Sequence, residues 1–174
     1  MISSTSNAKV KNIINLKKSA RARKKENCFL VEGPRMFFEI PKDRIAECYL
    51  TEEFADKYAE ELKGWRYELM SENVCRHLSD TKTPQGVIAV VRREEPSVEE
   101  LLNKEKNPCF FLLENLQDPG NLGTIIRTAE GAGVTGVIMN RDTVDIYNPK
   151  VIRSTMGSIF RVPYLITDNL LETI

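Results

Sequence analysis

The chain has 174 residues, 25 lysines and arginines against 25 aspartates and glutamates, and an apolar share of 41%. That composition fits one or two folded globular domains and excludes a fibre or a disordered tail. Apolar runs such as "GVIAVV" and "CFFLL" are far shorter than the ~20 residues that span a bilayer. The polar, basic start has no signal-peptide core, so a cytoplasmic location is expected.

In chain order, "SNAKVKNIINLKK" (6–18) places Val10, Ile13 and Ile14 at helical spacing among lysines, which predicts a helix with one buried stripe and a basic outer face. "NCFLVEG" (27–33) reads as a short buried strand, broken at Gly33–Pro34 before a helix over "RMFFEI". "IAECYL" is a second strand. "TEEFADKYAEELKG" is an amphipathic helix capped by Thr51 and stopped by Gly64. "WRYELM" is a third strand, "SENVCRHLSD" a helix capped by Ser71, and "GVIAVVR" a β-branched fourth strand.

A charged, proline-bearing stretch follows, "REEPSVEELLNKEKNP", with a short helix expected at Ser97–Lys104 and a domain boundary within it. "CFFLL" then reads as a strand covered on both faces. "QDPGN" is a turn, "LGTIIRTAEGAG" a helix and "VTGVIMN" a strand. "NPKVIRSTMGSIF" is a helix, "RVPYLIT" a strand, and "DNLLETI" a last helix with Asp168 as its cap. Alternating strands and helices predict an α/β unit with a parallel sheet.

The four cysteines, Cys28, Cys48, Cys75 and Cys109, are scattered and there is one histidine, His77. Zinc ligands cluster at short spacing, so no metal site is expected and the thiols read as reduced and mostly buried. The balanced charge conceals a basic block: Lys9, Lys11, Lys17, Lys18, Arg21, Arg23, Lys24 and Lys25 precede any acid. Such a block suits an anionic partner, nucleic acid above all; a solvated, partly frayed arm is the alternative.

The stretch "NLGTIIRTAEGAG" (121–133) singles itself out. On a helix starting near Asn121, residues Leu122, Ile125, Ala129 and Ala132 share one face. Arg127 then points the other way, flanked by Thr124 and Glu130. Periodicity alone leaves this a solvent-facing arginine paired with a glutamate. Its position directly after an apolar strand is where open α/β sheets place ligands, and a helix start favours anions. The dinucleotide and P-loop glycine patterns are absent, and no Ser-His-Asp set is available.

"NLGTIIRTAEGAGVTGVIM" resembles the first signature of the SpoU/TrmH family of RNA 2′-O-ribose methyltransferases, through Asn121, Gly123, Arg127-Thr128-Ala129 and Gly133. The flanking "FFLLENLQDPGN" and "NPKVIRSTMGSIFRVP" fit the same family, and "FLVEGPRMFFE" and "TKTPQGVIAVV" resemble its accessory substrate-binding domain. The resemblance implies an α/β chain in three parts. A small RNA-binding-type domain (1–95) and a linker (96–107) precede the N-terminal part of a Rossmann-like parallel-sheet methyltransferase domain (108–174). It implies methyl transfer from S-adenosylmethionine to a ribose 2′-hydroxyl, in ribosomal RNA before tRNA, by a homodimer without metal.

Arg127 falls on the family's catalytic arginine and Asn121 on its companion asparagine. A guanidinium stays protonated and is a poor base, so the preferred role for Arg127 is to clamp a phosphate and stabilise alkoxide charge. Glu130 and Ser154 are possible lining residues. The basic block, with Glu32, Gly33 and Arg35, is the expected RNA contact, although Glu32, Gly33 and Arg35 equally suit a structural turn. The family's later glycine-glutamate-glycine and Ser-Leu-Asn segments, which build the knot and most of the cofactor site, do not occur here. The expectation is therefore a piece of a longer protein that binds S-adenosylmethionine poorly and transfers no methyl group alone. A non-catalytic RNA-binding module is the main alternative. An antibiotic-resistance role is not separable from housekeeping modification.

Overall fold

The computed structural model describes residues 1–94, 97–102 and 106–173, and these divide into two compact units, Met1–Arg93 and Glu94–Ile174. The first unit opens with two consecutive helices rather than a frayed arm. Helix α1 (Ala8–Lys18) is capped by the Asn7 side chain, which accepts from the Lys9 N–H. Helix α2 (Ala20–Glu26) is capped by Ser19 and ends on Asn27 in the left-handed region at φ 51°. Val10, Ile13 and Leu16 are the buried stripe of α1, with Ile14 only half-buried beside it.

Four strands follow: β1 (Cys28–Glu32), β2 (Ile45–Leu50), β3 (Glu68–Leu69) and β4 (Val87–Arg92), in the order β1-β4-β2-β3. β4 is antiparallel to both β1 and β2, whereas β3 runs parallel to β2. β4 is buried from Val87 to Val91, and this fits its central place and its β-branched sequence. Of the expected strand "WRYELM" Glu68 and Leu69 pair with β2, and Met70 makes a single parallel bridge to Ile2. Short helices α3 (Pro34–Phe37), α4 (Glu52–Lys57) and α5 (Glu72–Leu78) connect the strands, and Thr51 and Ser71 cap α4 and α5 as the sequence predicts. Helix α4 ends seven residues before Gly64, in a run of turns.

The second unit begins at Glu94, so the break between units lies just ahead of the expected linker. The segment holds a helix, α6 (Val98–Leu102), that belongs to this unit. Ser97 and Glu100 form a capping box: the Ser97 N–H donates to Glu100 at 2.8 Å and the Glu100 N–H to Ser97 Oγ at 3.1 Å. The helix expected to run on to Lys104 meets residues 103–105, outside the described residues. Leu101 is buried, and a Cβ added to Gly136 would lie 2.8 Å from its Cδ1. The Glu94 carbonyl accepts from Tyr164 Oη at 2.8 Å and Tyr147 Oη at 3.2 Å.

Strands β5 (Phe110–Leu113), β6 (Gly136–Asn140) and β7 (Tyr164–Thr167) form the parallel sheet β5-β6-β7. Between them lie α7 (Pro119–Ala132) and α8 (Pro149–Thr155), and α9 (Leu170–Thr173) comes last. Central β6 is buried from Gly136 to Met139. β5 departs from the expectation of two covered faces: it is an edge strand, and Leu112 is 49% exposed. α8 is shorter than expected because Met156 and Gly157 adopt φ 52° and 101°, and a 3₁₀ turn over Ser158–Phe160 replaces its end. Asn169, not Asp168, accepts from the first turn of α9, at 3.1 Å from the Leu171 N–H. Asp168 instead pairs with Arg141.

Candidate active site

The helix that carries the singled-out stretch begins earlier than Asn121. Asp118 is its N-cap, Pro119 takes the first position, and Asp118 Oδ1 accepts from the Asn121 N–H at 2.7 Å. Proline at that position costs no hydrogen bond. Asn121 is therefore the third residue of α7, with its side chain exposed. The buried face is Leu122, Gly123, Ile126 and Ala129. Ile125 is half-buried and Ala132 exposed, so the packed face is one residue away from the predicted one.

Gly123 sets how closely α7 meets α8. A Cβ there would fall 2.3 Å from Ser154 Cβ and 2.9 Å from both Ser154 C and Val151 O. Ser154 therefore serves the helix contact, and its Oγ donates to the Lys150 carbonyl at 2.9 Å. Farther along α7, Glu130 accepts from Ser158 Oγ and from Arg161. Those bonds, Arg161 first and Ser158 second, hold its carboxyl below the usual range. The stabilisation they give is present above about pH 4.5 and is lost as acid protonates Glu130 below it. Glu130 is thus committed to the helix-end packing and does not pair with Arg127.

Arg127 is exposed and makes no hydrogen bond or ion pair among the described residues. Its neighbours one and two turns away on α7 are Gly120, Gly123, Thr124 and Gly131, and Gly123 is the one that meets α8. Both neighbouring hydroxyls are already used, Thr124 Oγ1 on the Gly120 carbonyl and Thr128 Oγ1 on the Thr124 carbonyl. Gly131 has open space above it. Asn121 and Arg127 are ~9 Å apart along the axis and ~120° apart around it, and no hydrogen bond joins them.

The loop leading into α7 is held by amides that sequence reading missed. Asn140, at the end of β6, accepts from the Asn115 N–H at 2.9 Å and donates to Asn115 Oδ1 at 2.7 Å. Its Oδ1 also accepts from Thr143 Oγ1, and Gln117 bonds the Asn115 and Asp142 carbonyls. Asn115 sits at φ 54°, a conformation asparagine tolerates better than most residues. The network ties the loops after β5 and β6 together at the carboxyl ends of the strands, the edge where α/β sheets bind ligands.

In the first unit the expected RNA contacts separate into two groups. Arg23 is corrected: it is 4% exposed, and its Nη1 donates to the Leu16 carbonyl at 2.7 Å and the Lys17 carbonyl at 3.2 Å. It closes the end of α1, whose last carbonyls lack helical partners. Lys17 pairs with Asp80 at 2.6 Å and donates to the Leu78 carbonyl, and Lys9 pairs with Glu68. Lys11, Lys18, Arg21, Lys24 and Lys25 remain exposed and unpaired among the described residues.

Glu32 is likewise inward-working. Its carboxylate accepts from Ser79 Oγ, from the Asp80 N–H at 3.3 Å and from Thr81 Oγ1 at 3.3 Å, and so anchors the 79–85 loop. Gly33 adopts φ 91°, and a Cβ there would lie 2.8 Å from Gln85 Oε1; it shapes the turn into α3. Arg35 is exposed. No group of metal-binding side chains and no helix long and apolar enough to cross a membrane occur among the described residues.

The fold and the site define a two-unit α/β protein whose second unit presents an exposed arginine on the helix that follows the first strand of a parallel sheet. Residues 7–89 match the family model described as the MRM3-like substrate binding domain, and residues 108–174 match the SpoU rRNA Methylase family. The second unit thus carries a SpoU methylase domain and the first an MRM3-like substrate-binding domain.

Over 93% of its length it is 35% identical to the 23S rRNA (guanosine(2553)-2′-O)-methyltransferase RlmP of Bacillus subtilis, spanning 63% of that protein. Human mitochondrial rRNA methyltransferase 3 is 31% identical over 90% of the chain, which spans 39% of that relative. The AdoMet-bound rRNA methyltransferase of Sinorhizobium meliloti superposes with a TM-score of 0.82 at 25% identity, over 99% of this chain and 67% of that one. The AdoMet complex of AviRb from Streptomyces viridochromogenes gives 0.82 at 25%, over 95% and 65%.

Proposed function

We propose that this chain forms the substrate-holding part of an RNA 2′-O-ribose methyltransferase that acts on ribosomal RNA, with S-adenosylmethionine as the methyl donor. The observation that carries the reading is Arg127, exposed and without a partner among the described residues, on α7, the helix that follows β5. An unpaired guanidinium there offers a fork of donors that matches a phosphate or a developing alkoxide. Held in place by α7, it orients the ribose for in-line attack and stabilises charge as the 2′-hydroxyl loses its proton. Asn121, about one and two-thirds turns nearer the helix start, contacts the sugar or its flanking phosphate.

The donor, when bound, supplies an electrophilic methyl group. The amides nearest the strand ends, Asn115, Asn140 and Gln117, are bonded to each other and to the loops. The described residues thus build the arginine side of the site and hold its loop, and they offer few free groups to a donor. Lys11, Lys18, Arg21, Lys24, Lys25 and Arg35 give the first unit its RNA-facing charge. Pairing of two copies, for which the half-open β5 edge at Leu112 offers apolar surface, and a cytoplasmic location belong to the same reading.

The test is Arg127→Ala in the natural protein, assayed for ribose methylation and for RNA binding. Loss of methylation with binding retained is expected. Loss of neither removes Arg127 from the reaction.

A further inference from the structure

The structure assigns a second RNA-phosphate site to the first unit, in a cationic pocket at the start of β2. A cavity of about 380 Å³ lies there, lined by Lys42, Ile45, Ala46, Glu47, Gly64, Trp65, Arg66 and Arg92. This inference rests on the reading that the chain binds RNA and adds a contact that the basic block does not supply.

Local geometry builds the pocket. The β2–β4 pairing slips between Ile45 and Glu47, which leaves Ala46 as an extra residue and bends the strand start away from the ladder. Gly64 reaches φ 80° with open space where a Cβ would be, so it is the backbone turn, not crowding, that asks for glycine. Arg44 donates to the Arg92 carbonyl at 3.0 Å, and Arg92 Nη1 donates to the Asp43 carbonyl at 3.1 Å. This reciprocal clamp fixes one edge of the pocket and leaves the other N–H groups of Arg92 without a protein acceptor among the described residues.

Charge and chemistry select the occupant. Lys42, Arg66 and Arg92 face one acid, Glu47, which is already bonded to Tyr49 Oη. Neither Lys42 nor Arg66 has an ion pair among the described residues. Two guanidiniums and an ammonium around one cavity match phosphate oxygens. The aromatic wall is Trp65, packed on Phe37 at 4.6 Å between centroids with Lys42 Nζ 5.0 Å from its ring. Trp65 Nε1 is buried with no hydrogen-bond partner among the described residues. β2 separates this pocket from the Gly33 turn: Thr51 and Gly86, beyond its other end, line a different cavity. Six residues of strand set the two ends roughly 17 Å apart, about three nucleotides of extended RNA backbone.

Trp65 is the only tryptophan in the chain, so its emission reports on this pocket alone. The experiment titrates the 174-residue chain with a short single-stranded RNA, reading Trp65 emission and, with labelled RNA, anisotropy. Inorganic phosphate and adenosine monophosphate at matched ionic strength are parallel arms. The expected result is a saturable emission change with RNA at the affinity that anisotropy gives, and little change with either small phosphate at the same concentration. Arg66→Glu, whose side chain is exposed and unpaired, should raise Kd by about tenfold or more. Lys42→Ala should lower the salt dependence by about one phosphate contact; circular dichroism confirms that both variants fold. If RNA binds with silent Trp65 emission and R66E leaves Kd unchanged, the pocket assignment falls while the RNA-binding reading stands. If adenosine monophosphate changes the emission as strongly as RNA does, the occupant is a mononucleotide and the assignment to RNA backbone falls. If RNA does not bind the wild-type chain at all, both fall.

Discussion

Replacing Gly123 with alanine is the sharpest perturbation of the helix pair that holds Arg127. The added methyl would sit 2.3 Å from Ser154 Cβ and 2.9 Å from two backbone atoms of α8. Carbon atoms rest at about 3.5–4.0 Å, so α8 must retreat by more than ~1 Å. Alanine favours helix over glycine by ~1 kcal/mol, whereas overpacking costs about 1–3 kcal/mol. Backbone atoms cannot turn aside as a side chain can, so the cost lies at the upper end and the net loss is about 2 kcal/mol. For a unit of this size that lowers Tm by roughly 8–16 °C. Gly131→Ala is the control on the same helix, with nothing within 4 Å of the new methyl; it should gain up to ~1 kcal/mol from propensity. The assay is thermal unfolding by far-UV circular dichroism, with Trp65 fluorescence following the first unit separately. A G123A protein as stable as wild type, or a G131A protein that loses more than G123A, would refute the close-packing account.

Arg23→Ala should destabilise the first unit by about 1–3 kcal/mol, because two carbonyls at the end of α1 lose their donor. Lys24→Ala, on the exposed side, should stay within about 0.5 kcal/mol; equal effects in urea unfolding would remove the structural role of Arg23. Burial pushes the Cys48 thiol up to about 12 and the Cys75 thiol up to about 11, from 9.0. Unfolded thiols ionise first, so the thiol contribution to stability should be constant below about pH 9 and fall between about pH 9 and 12. Exposed Cys109 should be alkylated well before Cys48 or Cys75 at pH 8; mass spectrometry showing the reverse order would contradict the burial. In calorimetry the 174-residue chain should bind S-adenosylmethionine weakly, because its strand-end amides bond one another. Tight binding would show that these residues hold the donor unaided.

Much of the architecture is legible from local chemistry. Ile45–Leu50 and Val87–Arg92 read as strands because β-branched and aromatic residues cluster between turn formers, and Thr51 and Ser71 mark helix starts through their hydroxyls. Adjacent residues of like type defeat the same reasoning. Ile125 and Ile126 both suit a buried face, and only packing on the sheet selects Ile126. Asp118 and Asn121 are both good caps, and Pro119 between them was the signal for the earlier one. Asp168 and Asn169 present the same choice, which the Arg141 ion pair resolves. In the candidate site, the exposure of Arg127 was legible from helical periodicity. The inward turn of Arg23 and Glu32 was not, because a buried charge depends on carbonyls and hydroxyls distant in sequence. The open face of β5 was hidden for a related reason: an apolar run reports what must be covered, not what covers it.

The central claim is that Arg127 is the free cation that engages the ribose. Site-specific ribose methylation of ribosomal RNA by the natural protein, wild type against Arg127→Ala, tests it most directly when RNA affinity is measured on the same preparations. The account predicts loss of methylation with RNA affinity within a few-fold of wild type. Unchanged methylation by R127A would contradict it.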